Sequence, residues 1–144
     1  MSTTGTYLRA AKTLANFFGL LDHGHGPNYA HPDGRLHPAA VIYRAVTGTT
    51  PNEMYDSPDA ARALIQANPA VMTALRWLSA VLPTEAPGDD ITGDDHLEHI
   101  ETWWAENDFF LHRRPGQHEF AELLDRAAQA ADHLSDIPAP RTAA

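Results

Sequence analysis

The chain has 144 residues, 43% of them hydrophobic and 20% charged, with nineteen acids against ten bases and no cysteine. That length can bury a core of its own without disulfide or metal support, and the lack of thiols excludes disulfides, iron–sulfur clusters, thiolate zinc sites and a cysteine nucleophile. The net charge of −9 opposes the counterion release that drives binding to nucleic-acid phosphates, so nucleic acid is a disfavoured partner.

No apolar run reaches the roughly 18 to 20 residues of a membrane span. Met1 to Gly5 lacks the basic-then-apolar layout of a signal peptide, so a cytoplasmic protein with no membrane partner is expected.

Tyr7, Ala11, Leu14, Phe18 and Leu21 recur at steps of four and three, which predicts a first amphipathic helix, capped by Thr4 or Thr6 and stopped by Gly19. Residues 22–34, dense in Gly, Pro, Asn and Asp, read as a long loop with a turn at Pro32-Asp33-Gly34. There is room for one short strand pair near Tyr29 and Leu36.

A second helix is expected from Pro38 to Gly48, burying Val41, Ile42, Ala45 and Val46. Ser57-Pro58-Asp59 opens a third through Ala67, and Asn68-Pro69 a fourth to Leu82, with Val71, Ala74, Leu75, Leu78, Val81 and Leu82 as its core stripe. After Pro83 and an acidic linker, a fifth helix starts at Asp94 or Asp95, with Asp95 and Glu98 spaced as a capping box. Arg113 to Gly116 form a break. Phe120, Leu123, Leu124, Ala127, Ala131 and Leu134 then mark a sixth helix. The expected fold is all-α: a compact bundle of about six short helices forming one domain over 1–136, with a long His/Gly-rich loop and a disordered tail over 137–144.

The charge is unevenly placed. Residues 83–108 carry nine acids (Glu85, Asp89, Asp90, Asp94, Asp95, Glu98, Glu101, Glu106 and Asp108) and no Lys or Arg, so the rest of the chain balances. A solvated acidic face explains this, and so does a docking surface for a basic partner. On the same stretch, Trp103 and Trp104 point about 100° apart on a helix, so one of them is expected to be the more exposed. With Phe109 and Phe110 they offer an aromatic cluster for a partner. The competing reading sandwiches the helix between neighbours and buries both rings.

Nine histidines are the compositional oddity. His23 and His25 are two apart and share a side if the loop is extended, while His96 and His99 lie one helical turn apart; these four are the candidate metal ligands. Against a resident metal, the helical zinc pattern with an adjoining Glu is missing, and no cofactor is expected. A calcium loop starting at Asp90 fails, because Asp95 stands where the sharp turn needs glycine and Thr92 where a carboxylate or amide is needed. No phosphate-binding glycine loop and no serine nucleophile elbow is present.

The order of several segments resembles a small family of helical domains of unknown function, common in GC-rich filamentous bacteria and their phages. The segments are Tyr7-Leu8-Arg9-Ala10-Ala11 ending at Phe18-Gly19, Pro32-Asp33-Gly34-Arg35-Leu36 leading into Ala39 to Ala45, Ile100 to Asp108 with Trp104 and Asn107-Asp108, and Phe120-Ala121-Glu122-Leu123-Leu124. The family's cysteine near Ala39-Ala40 and its contiguous Trp-Asn-Asp are not present here. The resemblance implies a helical fold and carries no activity.

The leading functional expectation is a non-enzymatic accessory or regulatory protein. It would bind a protein partner through Asp94, Asp95, Glu101, Trp103, Trp104, Phe109 and Phe110. One alternative is a small metal-dependent or acid–base enzyme using the His23/His25 loop with Asp22, Asp33 or His99, because imidazole titrates near neutral pH. Another is a small-molecule-binding helical module with Trp103 or Trp104 as a stacking wall.

Overall fold

The computed structural model describes residues 2–21, 27–84, 93–105 and 116–135. Seven helices carry most of them: α1 (Thr3–Phe18), α2 (Pro38–Thr47), α3 (Glu53–Asp56), α4 (Pro58–Gln66), α5 (Pro69–Val81), α6 (Gly93–Ala105) and α7 (Gln117–Ser135). The bundle is built around α5, which packs against α1, α2, α4, α6 and α7, while α1 lies along α7 and α2. Its buried Val71, Ala74, Leu75 and Leu78 follow the predicted stripe.

Helix ends follow local chemistry. Pro38 and Pro69 sit in first turns, where their missing N–H costs no hydrogen bond, and the Asn68 side chain accepts from Ala70 N (3.0 Å) and Val71 N (3.1 Å). Gly48 closes α2 in the left-handed conformation at φ 80°. His37 caps the start of α2, its Nδ1 accepting from Ala39 N at 3.1 Å, which gives one loop histidine a structural role.

Three local expectations are corrected, and one helix is added to them. Ser2, and not Thr4 or Thr6, caps α1: its Oγ accepts from Gly5 N at 2.8 Å, and both threonines lie inside the helix. Ser57 makes no side-chain cap, because its hydroxyl donates to Asp56 at 3.0 Å, and Pro58 with the Ser57 carbonyl starts α4. Asp95 does not open α6, which is already under way from Gly93. A single-turn helix, α3, was not expected, being too short to show a period.

The strand pair reduces to isolated bridges, Leu20 with Leu36 and Ala30 with Leu36, and no strand occurs among the described residues. Leu36 N donates to Gly19 O (3.1 Å) and its carbonyl accepts from Leu21 N (3.0 Å). Tyr29 N and Ala30 N both donate to Met54 O (2.9 and 2.8 Å), so the segment 27–37 is tied to α3 as well as, through Leu36, to the end of α1.

At the far end of the bundle, Asp132 of α7 accepts from Ser2 N at 2.8 Å and pairs with Arg9. Gly5 is required beside it. A Cβ at that position would stand 2.2 Å from Asp132 Oδ1.

Candidate functional site

Polar side chains inside an apolar bundle draw the eye to α6, whose two faces engage different neighbours. His96 and His99, three apart, share a face that meets α5. There Ser79 is 0% exposed and His96 4%. Ser79 Oγ lies 3.0 Å from His96 Nδ1 and 2.7 Å from His99 Nδ1, and His99 Nε2 is 2.6 Å from Thr84 Oγ1. A hydroxyl has one hydrogen to give and accepts through its lone pairs, so in the neutral cluster one Nδ1 donates to Ser79 and the other accepts from it. Burial and the neighbouring His96 both hold the His99 imidazole below its ordinary range. Complete burial also removes Ser79 as a nucleophile toward any substrate.

One turn further along, Glu101 accepts from the Tyr29 hydroxyl at 2.6 Å and pairs with Arg62 of α4. Burial first, then the hydrogen bond and charge of Glu101, push the Tyr29 phenol well above its usual range. The triad ties the loop segment 27–37, α4 and α6 together. Glu101 is therefore an internal ion-pair partner and not a free surface carboxylate.

Of the two readings of the adjacent indoles, the structure shows the sandwiched one and not the one that leaves a ring more exposed: Trp103 is 6% exposed and Trp104 5%. The Trp104 indole N–H donates to Leu21 O at 2.9 Å, and its ring lies 6.2 Å from that of Phe120 on α7. With α5 and α2 also packed on α6, the helix has neighbours on several sides, and 100° of separation is not enough to free either ring. Neither indole offers a surface to a partner or a stacking wall in this conformation.

Of the other expected site residues, Glu98 is exposed, and Asp95 is half-buried and already engaged. His23, His25, Phe109, Phe110 and the side chain of Asp94 lie outside the described residues. His96 and His99 come together, but on a serine: among the described residues no three His, Asp or Glu side chains are placed to share a metal ion.

Sequence reasoning missed Ser79, Tyr29 and Arg62. Ser79 left one signal, a polar residue inside the stripe Leu75, Leu78, Leu82. The roles of Tyr29 and Arg62 depend on packing between distant segments and left none. Comparison with family models, with curated proteins and with solved structures returns no match for the chain.

Proposed function

We propose that the protein is a non-enzymatic accessory or regulatory component that docks a basic protein partner through its acidic segment 83–108. Supporting this, nine carboxylates lie in a segment that itself contains no Lys or Arg, Glu101 among them being paired with Arg62 of α4, and the helix carrying part of it is held by Leu97, Ile100, Trp103 and Trp104 in the core. A charged surface fixed on a packed helix pays little ordering entropy on binding and steers an oppositely charged partner. Glu98 and the carboxylates preceding α6 are the contact set, Phe109 and Phe110 its aromatic part. Trp103, Trp104 and Glu101 serve the interior. Membership of the small helical family and a cytoplasmic location belong to the same reading and add no activity to it.

The test is titration of a fluorescent arginine-rich peptide at several salt concentrations, with wild type and with a variant combining Glu85→Gln, Asp94→Asn and Glu98→Gln. Wild type is expected to bind with an affinity that falls steeply with salt, and the variant to bind more weakly with a shallower slope. Equal affinity and equal slope would remove the acidic segment from the reading.

A further inference from the structure

Residues 31–35 close a tight turn around Asp33-Gly34, the one Asp–Gly pair in a chain that has no Asn–Gly pair. Gly34 N donates to His31 O at 2.9 Å, and His31 N donates to Arg35 O at 3.0 Å. Gly34 stands at φ 102°, a conformation open to glycine and strained for residues with a side chain. The corner of the turn therefore calls for the residue whose backbone nitrogen is least shielded from the aspartate before it.

That pair carries a reaction of its own. The Gly34 nitrogen can attack Asp33 Cγ: an N–Cγ bond forms, the Cγ–OH bond breaks, and the hydroxyl leaves with the amide hydrogen as water. Solvent water then opens the five-membered imide. Opening at the former main-chain carbonyl routes the backbone through Cβ and Cγ and yields isoaspartate, with no net change in mass; opening at Cγ restores aspartate. Water is the only co-reactant.

Two conditions of this step are withheld while the turn is closed. The carboxyl must be neutral to lose its hydroxyl, and the Gly34 N–H must be free. Asp33 Oδ1 accepts from Arg35 N at 3.0 Å and Oδ2 from Arg35 Nε at 2.8 Å, so both oxygens are bonded as a carboxylate. These contacts, the Arg35 backbone N–H first, hold the carboxyl at about 2. The Gly34 hydrogen is committed to His31 O, while Asp33 itself is exposed to the water that the second step consumes.

We propose that Asp33-Gly34 is a latched self-modification site: the Arg35 bonds keep Asp33 inert in the closed turn, and each opening of the turn exposes it to conversion into isoaspartate. For the fold the conversion runs one way. Isoaspartate adds a carbon to the main chain between His31 and Leu36, and Leu36 is the residue that donates to Gly19 O and accepts from Leu21 N. A lengthened turn no longer delivers Leu36 in register, so the segment leaving α1 loses its anchor. The site thus keeps a covalent record of local opening, whatever the acidic segment binds.

Isoaspartate at position 33 is read by enzymatic isoaspartyl methylation and by electron-transfer fragmentation of the tryptic peptide that contains it. At pH 6, the full chain unfolded in concentrated urea is expected to convert at least tenfold faster than the folded chain, in which the turn opens only transiently. Folded Arg35→Gln, which loses the side-chain bond and keeps the backbone one, is expected to fall between the two. In converted and refolded protein, the Leu21 and Leu36 amides should lose hydrogen-exchange protection while α5 keeps its own. No conversion in urea, equal rates folded and unfolded, a wild-type rate in Arg35→Gln, or protection of Leu21 and Leu36 retained after conversion would each overturn the proposal.

Discussion

Tyr29 hands its phenolic hydrogen to Glu101 at 2.6 Å, joining a loop residue to the middle of α6 across 72 positions of sequence. Tyr29→Phe keeps the ring and removes only the donor, leaving Glu101 supported by Arg62 alone. The expected loss is about 1 to 2 kcal/mol, as for a partly buried hydrogen bond to a charged acceptor, read as a lower midpoint in urea unfolding. The alkaline absorbance step that disappears in the same variant should lie above pH 10, since burial and Glu101 both oppose ionisation.

Alanine normally stabilises a helix relative to glycine by about 1 kcal/mol. At position 5 the opposite is expected. The new methyl would collide with a carboxylate that Ser2 and Arg9 hold in place, so Gly5→Ala should lower the melting temperature. In an Asp132→Ala background the same change should raise it, and additivity of the two substitutions would refute the contact.

Asp132 also gives an acid signature. Arg9, and then the Ser2 N–H, lower its carboxyl from 3.8 to about 2, so the folded state holds this proton less tightly than the unfolded state does. Stability from this carboxylate is complete above pH 3.8 and is lost as pH falls through about 2. Asp132→Asn should flatten the acid limb of the stability curve in that window, measured by denaturant unfolding at each pH.

Trp104→Ala should cost about 3 to 5 kcal/mol through the cavity it leaves and the lost bond to Leu21. Trp104→Phe fills much of that space and should cost clearly less, the remainder reflecting the Leu21 carbonyl. Similar midpoints for the two variants would mean that the ring is not packed as described.

Gly48 isolates backbone strain from packing. Its φ is 80° and a Cβ there would meet nothing within 4 Å, so Gly48→Ala should destabilise by about 1 to 2 kcal/mol on conformational grounds alone. Gly48→Asn should lose less, because Asn tolerates the left-handed region. Equal losses, measured by thermal unfolding, would point to another cause.

The helices were legible wherever a terminus is written in neighbouring residues, as at Pro38, Gly48 and Asn68-Pro69, or where apolar positions repeat over several turns, as in α5. Boundaries failed where two local signals compete: Ser57 can cap α4 or bond Asp56, and it does the latter. The pairing of His96 with His99 was visible as a one-turn spacing. Their common partner was not, because Ser79 arrives from another helix, and nothing local fixes how two helices meet. Trp103 and Trp104 show the same limit. Angular separation on one helix says where the rings point and nothing about how many neighbours surround it.

Leu36 anchors two segments of the chain: Leu21 bonds its carbonyl, and Ala30 faces it across the second bridge. The peptide that leaves α1 at Leu20 and the peptide at Ala30 therefore lie on either side of the same residue. One backbone unit thus holds two chain segments, and a proline at position 36, which lacks the N–H that Gly19 accepts, would loosen both together.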